Sequence, residues 1–90
     1  MITIFLTNSS NINTQIGIMT DTEYIKRLGL NIKRIRQEKG ITQVELGYMC
    51  NFEKSNMQRI EAGKTNPTIK TLLKIAKSLK VSLTELINFK

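Results

Sequence analysis

Four polar side chains between positions 54 and 59 are of the types that hydrogen-bond to the edges of nucleobases. They are Lys54, Ser55, Gln58 and Arg59. Arg and Lys can donate to O6 and N7 of guanine, Gln prefers N6 and N7 of adenine, and Ser is permissive. Residues four positions apart, such as Lys54 and Gln58 or Ser55 and Arg59, lie on the same side of a helix. A short helix at this place would therefore present all four side chains together.

The sequence offers no comparable set of residues for catalysis or metal binding. It contains no His, and Cys50 is its single cysteine, which excludes a disulfide and a Cys/His zinc site. The carboxylates after the first helical turn are scattered over capping or surface positions: Glu38, Glu45, Glu53, Glu61 and Glu85. We therefore predict that the chain is not an enzyme and uses no cofactor, metal or small-molecule substrate.

The charge of the chain favours a polyanionic partner. Fourteen Lys and Arg against seven Asp and Glu give a net charge of +7, and the isoelectric point is near 9.9. On charge alone, a solvated basic face is an equally good interpretation, because net charge reports on association and not on fold. The basic residues are unevenly distributed: positions 1–21 carry −1, whereas positions 22–90 carry 14 − 6 = +8.

The uneven charge suggests two parts in a chain long enough for one domain. Residues 1–21 are predicted to form an N-terminal arm, disordered or weakly β-prone over 2–6, and residues 22–90 a folded domain. Two alternatives stay open: Met19 is the true start of the protein, or the segment 2–6 pairs with the same strand of a second subunit. No signal peptide and no membrane span is recognisable, so we expect a cytoplasmic protein.

Helical periodicity begins at position 22. Four apolar residues with 3-4-3 spacing predict a first helix over about 23–39, which Gly40 ends in a left-handed conformation. They are Ile25, Leu28, Ile32 and Ile35. Thr42 and Glu45 form a capping box that opens a second helix through about Met49. Asn51, which tolerates positive φ, is predicted at the following turn.

The remaining sequence predicts three more helices. A third helix over about 54–62 is closed by Gly63, and Pro67 forces a break after it. Thr68 caps a fourth helix, whose apolar face is formed by Ile69, Leu72, Leu73, Ile75, Ala76 and Leu79. Ser82 and Glu85 begin a fifth helix that ends near position 88. We predict an all-α, five-helix bundle in which the second and third helices form a helix-turn-helix.

The stretch from Leu28 to Leu86 resembles the phage repressor and Cro family of helix-turn-helix proteins, also called Xre-like. Its most specific part is Thr-Gln-x-x-Leu at 42–46, followed by Ile-Glu-x-Gly-Lys-x-x-Pro at 60–67. Further matching positions are Ile32, Arg36, Gly40, Ile41, Glu45, Phe52, Met57, Asn66, Leu72, Ile75, Ala76, Leu79 and Val81. The resemblance implies the compact bundle of the lambda-repressor type, bound to operator DNA through the third helix.

The resemblance also implies which residues contact DNA. We expect Arg59 and Lys54 to be the principal readers of bases, with Ser55 and Gln58 assisting. Residues at the start of the second helix and around the third are expected on phosphates: Thr42, Gln43, Asn56, Lys64, Thr65 and Asn66. Longer-range attraction by Lys33 and Lys70 is the alternative to their being merely solvated charges.

Other implied roles are structural. Arg36 is expected to pair with Glu61 and fix the third helix on the first, the alternative being two unrelated surface charges. Gly47 occupies a helix contact where the family usually has Ala. Glu53 departs from the Ser or Thr usual at the N-cap of the third helix; it either points away from DNA or accepts from cytosine N4. Cys50 and Met57 are predicted core residues.

The resulting functional prediction is a sequence-specific transcriptional regulator that binds double-stranded DNA as a homodimer. The dimer surface is expected on the fifth helix and the C-terminal tail, at Leu83, Ile87 and Phe89. A restriction-modification controller, a phage repressor and an antitoxin all fit this size. The alternative is an antitoxin-like or other protein-interaction module in which DNA binding is secondary.

Overall fold

The computed structural model describes residues 19–89, and in this range the chain forms five helices and no strand. They are α1 (Asp21–Glu38), α2 (Gln43–Met49), α3 (Asn56–Glu61), α4 (Ile69–Leu79) and α5 (Leu83–Ile87). The predicted all-α bundle of five helices is confirmed. The proposed strand at 2–6 and nearly all of the predicted arm lie outside the described residues.

The first helix begins two residues earlier than predicted, at Asp21. Its N-cap is Thr20, whose hydroxyl oxygen accepts from the Glu23 N–H at 3.2 Å. The Glu23 carboxylate in turn accepts from the Thr20 N–H at 3.1 Å. This capping box stabilises the start of the helix. Its Thr-x-x-Glu pattern is visible in the sequence but was not used to predict the helix start.

The third helix is shorter than predicted, and its N-cap is not Glu53. The helix spans Asn56–Glu61, so Lys54 and Ser55 lie in a turn in which the Asn56 N–H donates to the Glu53 carbonyl at 3.0 Å. Ser55 occupies the N-cap position without a side-chain capping bond. A helix that starts from such an i→i+3 turn needs no capping carboxylate at position 53.

One continuous core joins all five helices. Its buried members are Ile32, Ile35, Leu46, Cys50, Met57, Ile60, Leu72, Ile75, Ala76, Leu79 and Leu86. The prediction that Ile69 and Leu73 belong to the apolar face of α4 was wrong, since they are 61% and 42% exposed. Leu73 lies about 100° around the helix from Leu72, at the edge of the buried stripe, and Ile69 is the first helical residue.

Two residues of α1 position the other helices in ways that the sequence did not reveal. Asn31 is buried, and its Nδ2 donates to the carbonyls of Glu85 at 3.1 Å and Leu86 at 2.7 Å, which ties α5 to α1. Gly29 allows α1 to touch the end of α3. A Cβ at this position would lie 2.5 Å from the Ile60 carbonyl oxygen.

Gly47 has more space for a side chain than Gly29 has. A Cβ at Gly47 would lie 3.6 Å from the Cβ of Met57, an ordinary van der Waals contact. This agrees with the expectation that a small residue sits between α2 and α3, and it shows that alanine would fit there. Of these two glycines, only Gly29, where α1 meets the end of α3, has no room for a Cβ.

Candidate nucleic-acid interface

The turn between α2 and α3 holds the two short helices at a fixed angle. Asn51 adopts φ of 58°, the left-handed conformation predicted for it. The next residue, Phe52, donates its N–H to the Gly47 carbonyl at 2.9 Å. Leu46, Met57 and Ile60 are buried at the corner, so the inward side of α3 is apolar and fully used.

The four predicted base-contacting residues are all exposed. Gln58 and Arg59 lie on α3, whereas Lys54 and Ser55 lie in the turn before it. The Arg59 Nη1 is 3.5 Å from the Ser55 hydroxyl, which places these two side chains next to each other. Neither Lys54 nor Arg59 forms a salt bridge with another described residue, so their donors are available to a ligand.

A buried ion pair holds α3 against α1. Arg36 donates from Nε to Glu61 Oε2 at 2.7 Å and from Nη2 to Oε1 at 3.0 Å. The two side chains are only 8% and 2% exposed. Arg36 Nη1 also donates to the Ile41 carbonyl at 2.8 Å. A bidentate pair anchored by a third hydrogen bond has one well-defined geometry, so it fixes the orientation of α3.

Gln43 connects this network to α2. Its side-chain Nε2 donates to Glu61 Oε1 at 2.9 Å. The side chain that we predicted to contact a phosphate is thus already engaged behind α3 in this structure. Its backbone N–H and that of Val44 have no intramolecular partner among the described residues and point out of the helix N-terminus.

The other side chains predicted to contact phosphates surround α3. Thr42 is occupied in the α2 capping box, where its N–H donates to Glu45 Oε1 at 2.8 Å and lowers the pKa of that carboxyl. Asn56 is half-buried at the start of α3. After α3, Lys64 and Asn66 are exposed and Thr65 is half-buried.

The single cysteine lies in the core, as predicted. Cys50 is buried with its Sγ 3.4 Å from the Ser78 hydroxyl, and burial raises the pKa of the thiol.

An apolar face of α2 is exposed. Its residues Val44 and Tyr48 are both more than 80% exposed. Sequence analysis missed this apolar face, although the i, i+4 spacing of the two residues could have indicated it.

Within residues 19–89, no group of three or more His, Cys, Asp or Glu side chains is arranged to hold a metal ion. None of the five helices is both long and apolar enough to cross a bilayer.

The chain is similar in sequence to known helix-turn-helix proteins. Residues 32–86 match the helix-turn-helix family model HTH_3. The chain is 40% identical over 62 residues to an uncharacterized HTH-type transcriptional regulator, y4dJ, of Sinorhizobium fredii, a match that covers 69% of the chain and 80% of the relative. It is 33% identical over 60 residues to the immunity repressor protein of Bacillus phage phi105, covering 67% of the chain but only 42% of the repressor.

Solved structures with the same fold include two restriction-modification controller proteins. C.AhdI from Aeromonas hydrophila superposes with a TM-score of 0.67 at 26% identity, covering 69% of the chain and 94% of the controller. Wild-type C.Esp1396I superposes with a TM-score of 0.65 at 37% identity, covering 71% and 86% of the two chains.

Proposed function

The chain belongs to the HTH_3, or Xre-like, family of DNA-binding transcriptional regulators, and we propose that it reads operator sequence in the major groove with α3 and the turn before it. The proposal is supported by the exposed donors of Gln58 and Arg59 on α3 and of Lys54 in the turn before it, with α3 held from behind by the Arg36–Glu61 pair. Rigid support matters because base contacts give specificity only if the side chains are held in register.

Each reading side chain has a preferred base edge. Arg59 and Lys54 donate to O6 and N7 of guanine, and Gln58 pairs with adenine. Ser55 lies 3.5 Å from Arg59 and helps to orient its guanidinium. Lys54 and Ser55 lie in the turn before α3, so the proposed base-reading surface includes this turn as well as the helix.

Phosphate contacts on both sides of α3 set the register of the protein on DNA. At the start of α2, the free N–H groups of Gln43 and Val44 donate to one phosphate, supported by Thr42 at the N-cap. Beyond α3, the exposed loop 64–66 holds the neighbouring strand through Lys64, Thr65 and Asn66, and Asn56 adds a contact at the helix start.

The proposed regulator is a homodimer joined through α5 and the C-terminal tail. Ile87 is 45% exposed and is available for a partner subunit. Leu83 packs partly on the core of its own protomer, and the Phe89 ring lies edge-on to Tyr24 with 5.9 Å between centroids. Two-fold symmetry then presents two α3 helices about 34 Å apart, one helical turn of DNA.

Arg59→Ala and Gln43→Ala distinguish reading from positioning. We expect Arg59→Ala to relax the preference at one base position and to cost about 1–3 kcal/mol of discrimination. Gln43→Ala keeps the backbone N–H that we assign to a phosphate but removes the side-chain bond to Glu61 Oε1, so by loosening the contact between α2 and α3 it should weaken binding evenly across sequences. Gel shifts with single-base variants of a selected duplex measure both effects. Unchanged affinity and unchanged base preference in Arg59→Ala would contradict its role as a reader.

The exposed apolar face at Val44 and Tyr48 favours a second candidate function, a protein-interaction module with secondary DNA binding. Gel shifts at rising salt separate the two. A regulator retains a few selected sequences as salt increases, because base contacts add to phosphate contacts. A pure interaction module shows only weak binding to all duplexes, and salt abolishes it.

A further inference from the structure

A cavity of about 600 Å³ lies between α1 and the helix-turn-helix. Successive turns of α1 contribute Lys26, Leu30 and Lys33 to one wall. Gln43 of α2 and Gln58 of α3 stand on the other wall. The cavity therefore adjoins the reading surface, since Gln58 belongs to both, and it adjoins the free N–H groups at the start of α2.

The lining of the cavity is positively charged. Three cations line it, Lys26, Arg27 and Lys33, and none of them forms a salt bridge within the described residues. Of the two carboxylates in the lining, Glu61 is neutralised by its bidentate pair with Arg36. Glu23 is left as the single uncompensated acid and accepts from the Thr20 N–H. An anion entering the cavity meets a net excess of positive charge.

The position of Lys26 is fixed by the turn that follows α3. A Cβ at Gly63, which has φ of 72°, would lie 2.9 Å from both Cα and Cγ of Lys26. The stem of Lys26 thus rests against the backbone that leads into Lys64. This contact places the stem beside the loop proposed to hold a DNA strand and leaves the stem less conformational freedom to lose on binding.

Between the two lysines lies an apolar residue in an unusual setting. Leu30 is 62% exposed although it lines this charged cavity. It follows Lys26 by four residues and precedes Lys33 by three, so all three share one side of α1. A cationic, apolar, cationic sequence of side chains complements phosphate, deoxyribose and phosphate along a nucleic-acid strand.

We propose that this cavity seats the DNA backbone, with Lys26 and Lys33 on phosphates and Leu30 against the deoxyribose between them. The assignment rests on the proposed function, because a duplex must approach α3 to reach the cavity. It adds α1 to the contact surface and gives Lys33 a defined role in place of long-range attraction. The group that the cavity recognises is a phosphate, and we assign this phosphate to DNA.

The salt dependence of binding tests this site. The variant Lys26→Gln/Lys33→Gln removes both charges from the exposed face of α1 and keeps residues of good helix propensity. Its matched control, Lys74→Gln/Lys77→Gln, removes two charges from exposed positions of α4 that do not line the cavity. Full-length proteins are compared on a duplex selected by the wild type and on random duplex, between 50 and 200 mM salt.

The expected result is a smaller salt slope in the cavity variant alone. Two lost phosphate contacts reduce the slope by about 1.8, so over this range the affinity of the wild type falls about 12-fold further than that of the variant. The selected sequence stays the same, because phosphates carry no base information. A slope equal to that of the wild type, or the same reduction in the control, overturns the proposal.

Neutral methylphosphonate substitutions locate the contact. One or two substituted positions in the duplex should weaken the wild type and leave the cavity variant unaffected, whereas no such coupling at any position overturns the proposal. Inorganic phosphate alone is the second probe. If it binds saturably at Lys26 and Lys33 and its binding is not coupled to the duplex, the cavity is a site for a free anion, and the proposal is overturned. If the wild type selects no sequence at all, the proposed function is contradicted. The cavity is still tested in that case, because the salt slopes can be compared on random duplex.

Discussion

At the scale of single residues, the Arg36–Glu61 pair and the exposed donors of α3 perform opposite tasks. The pair is buried and has bidentate geometry, so its carboxylate and guanidinium are satisfied inside the protein. Lys54, Gln58 and Arg59 are exposed and keep most of their donors for a ligand. Residue type and position indicated the exposed donors, whereas the ion pair was expected from the family resemblance. The sequence could not indicate that the side chain of Gln43 donates to Glu61, because that contact depends on the angle between α2 and α3.

Removing one partner of the buried pair should be far more costly than breaking an exposed one. Glu61→Ala leaves the Arg36 guanidinium desolvated without a counter-charge, and we expect a loss of about 3–5 kcal/mol in the free energy of unfolding. The matched control is Glu38→Ala, which breaks the exposed Arg34–Glu38 pair at 2.8 Å. That loss should be about 0–1 kcal/mol. Urea denaturation followed by circular dichroism measures both, and equally small losses would show that the buried pair does not hold α3.

At the scale of helices, the sequence predicted which elements form better than it predicted their ends. The capping boxes at Thr42 and Ser82 placed α2 and α5 correctly, because a side chain bonded to the N3 amide defines a helix start locally. The start of α3 was misplaced because an i→i+3 turn at Glu53 has no comparable signature. The roles of Gly29 and Asn31 depend on contacts with α3 and α5 that are remote in sequence.

Two glycine substitutions test the proposed order of helix contacts. Gly29→Ala brings a Cβ to 2.5 Å and 2.6 Å from the backbone oxygens of Ile60 and Glu61, and neither oxygen can move without shifting α3. We expect a lower melting temperature, corresponding to a loss of about 1–3 kcal/mol. Gly47→Ala meets only ordinary contact with Met57. It should raise stability by up to ~1 kcal/mol through helix propensity.

Thermal unfolding of the two alanine variants gives the comparison directly. If Gly29→Ala were as stable as the parent protein, α1 and α3 would not be in backbone contact. Such a result would also weaken the case that α3 is rigidly supported from behind.

At the scale of the whole molecule, the surface proposed for DNA and the surface proposed for a second subunit lie on different helices. The exposed donors of α3, the free N–H groups of α2 and the cationic cavity all adjoin Gln58 or Gln43, so they form one continuous surface, which is the surface that we propose for DNA. Ile87 is exposed on α5, which packs against α1 and α4. A homodimer formed through α5 leaves the DNA surface of each protomer free.

A charge introduced at Ile87 should separate the subunits. We expect Ile87→Asp to sediment as a monomer at concentrations where the parent protein is dimeric, because an aspartate in an apolar interface is desolvated without a partner. Ile69→Asp is the control, since Ile69 is exposed on α4 and is not part of the proposed interface. Analytical ultracentrifugation measures both, and a dimeric Ile87→Asp protein would place the interface elsewhere.

The central claim is that α3 and the turn before it present side chains that read bases in the major groove. Selection of duplexes from a random DNA pool by the full-length protein tests it most directly. We predict a recurring motif with two inverted half-sites whose centres are about one helical turn apart, and loss of preference at one position per half-site in Arg59→Ala. A pool that remains random after selection, or a motif that Arg59→Ala leaves unchanged, would contradict the account.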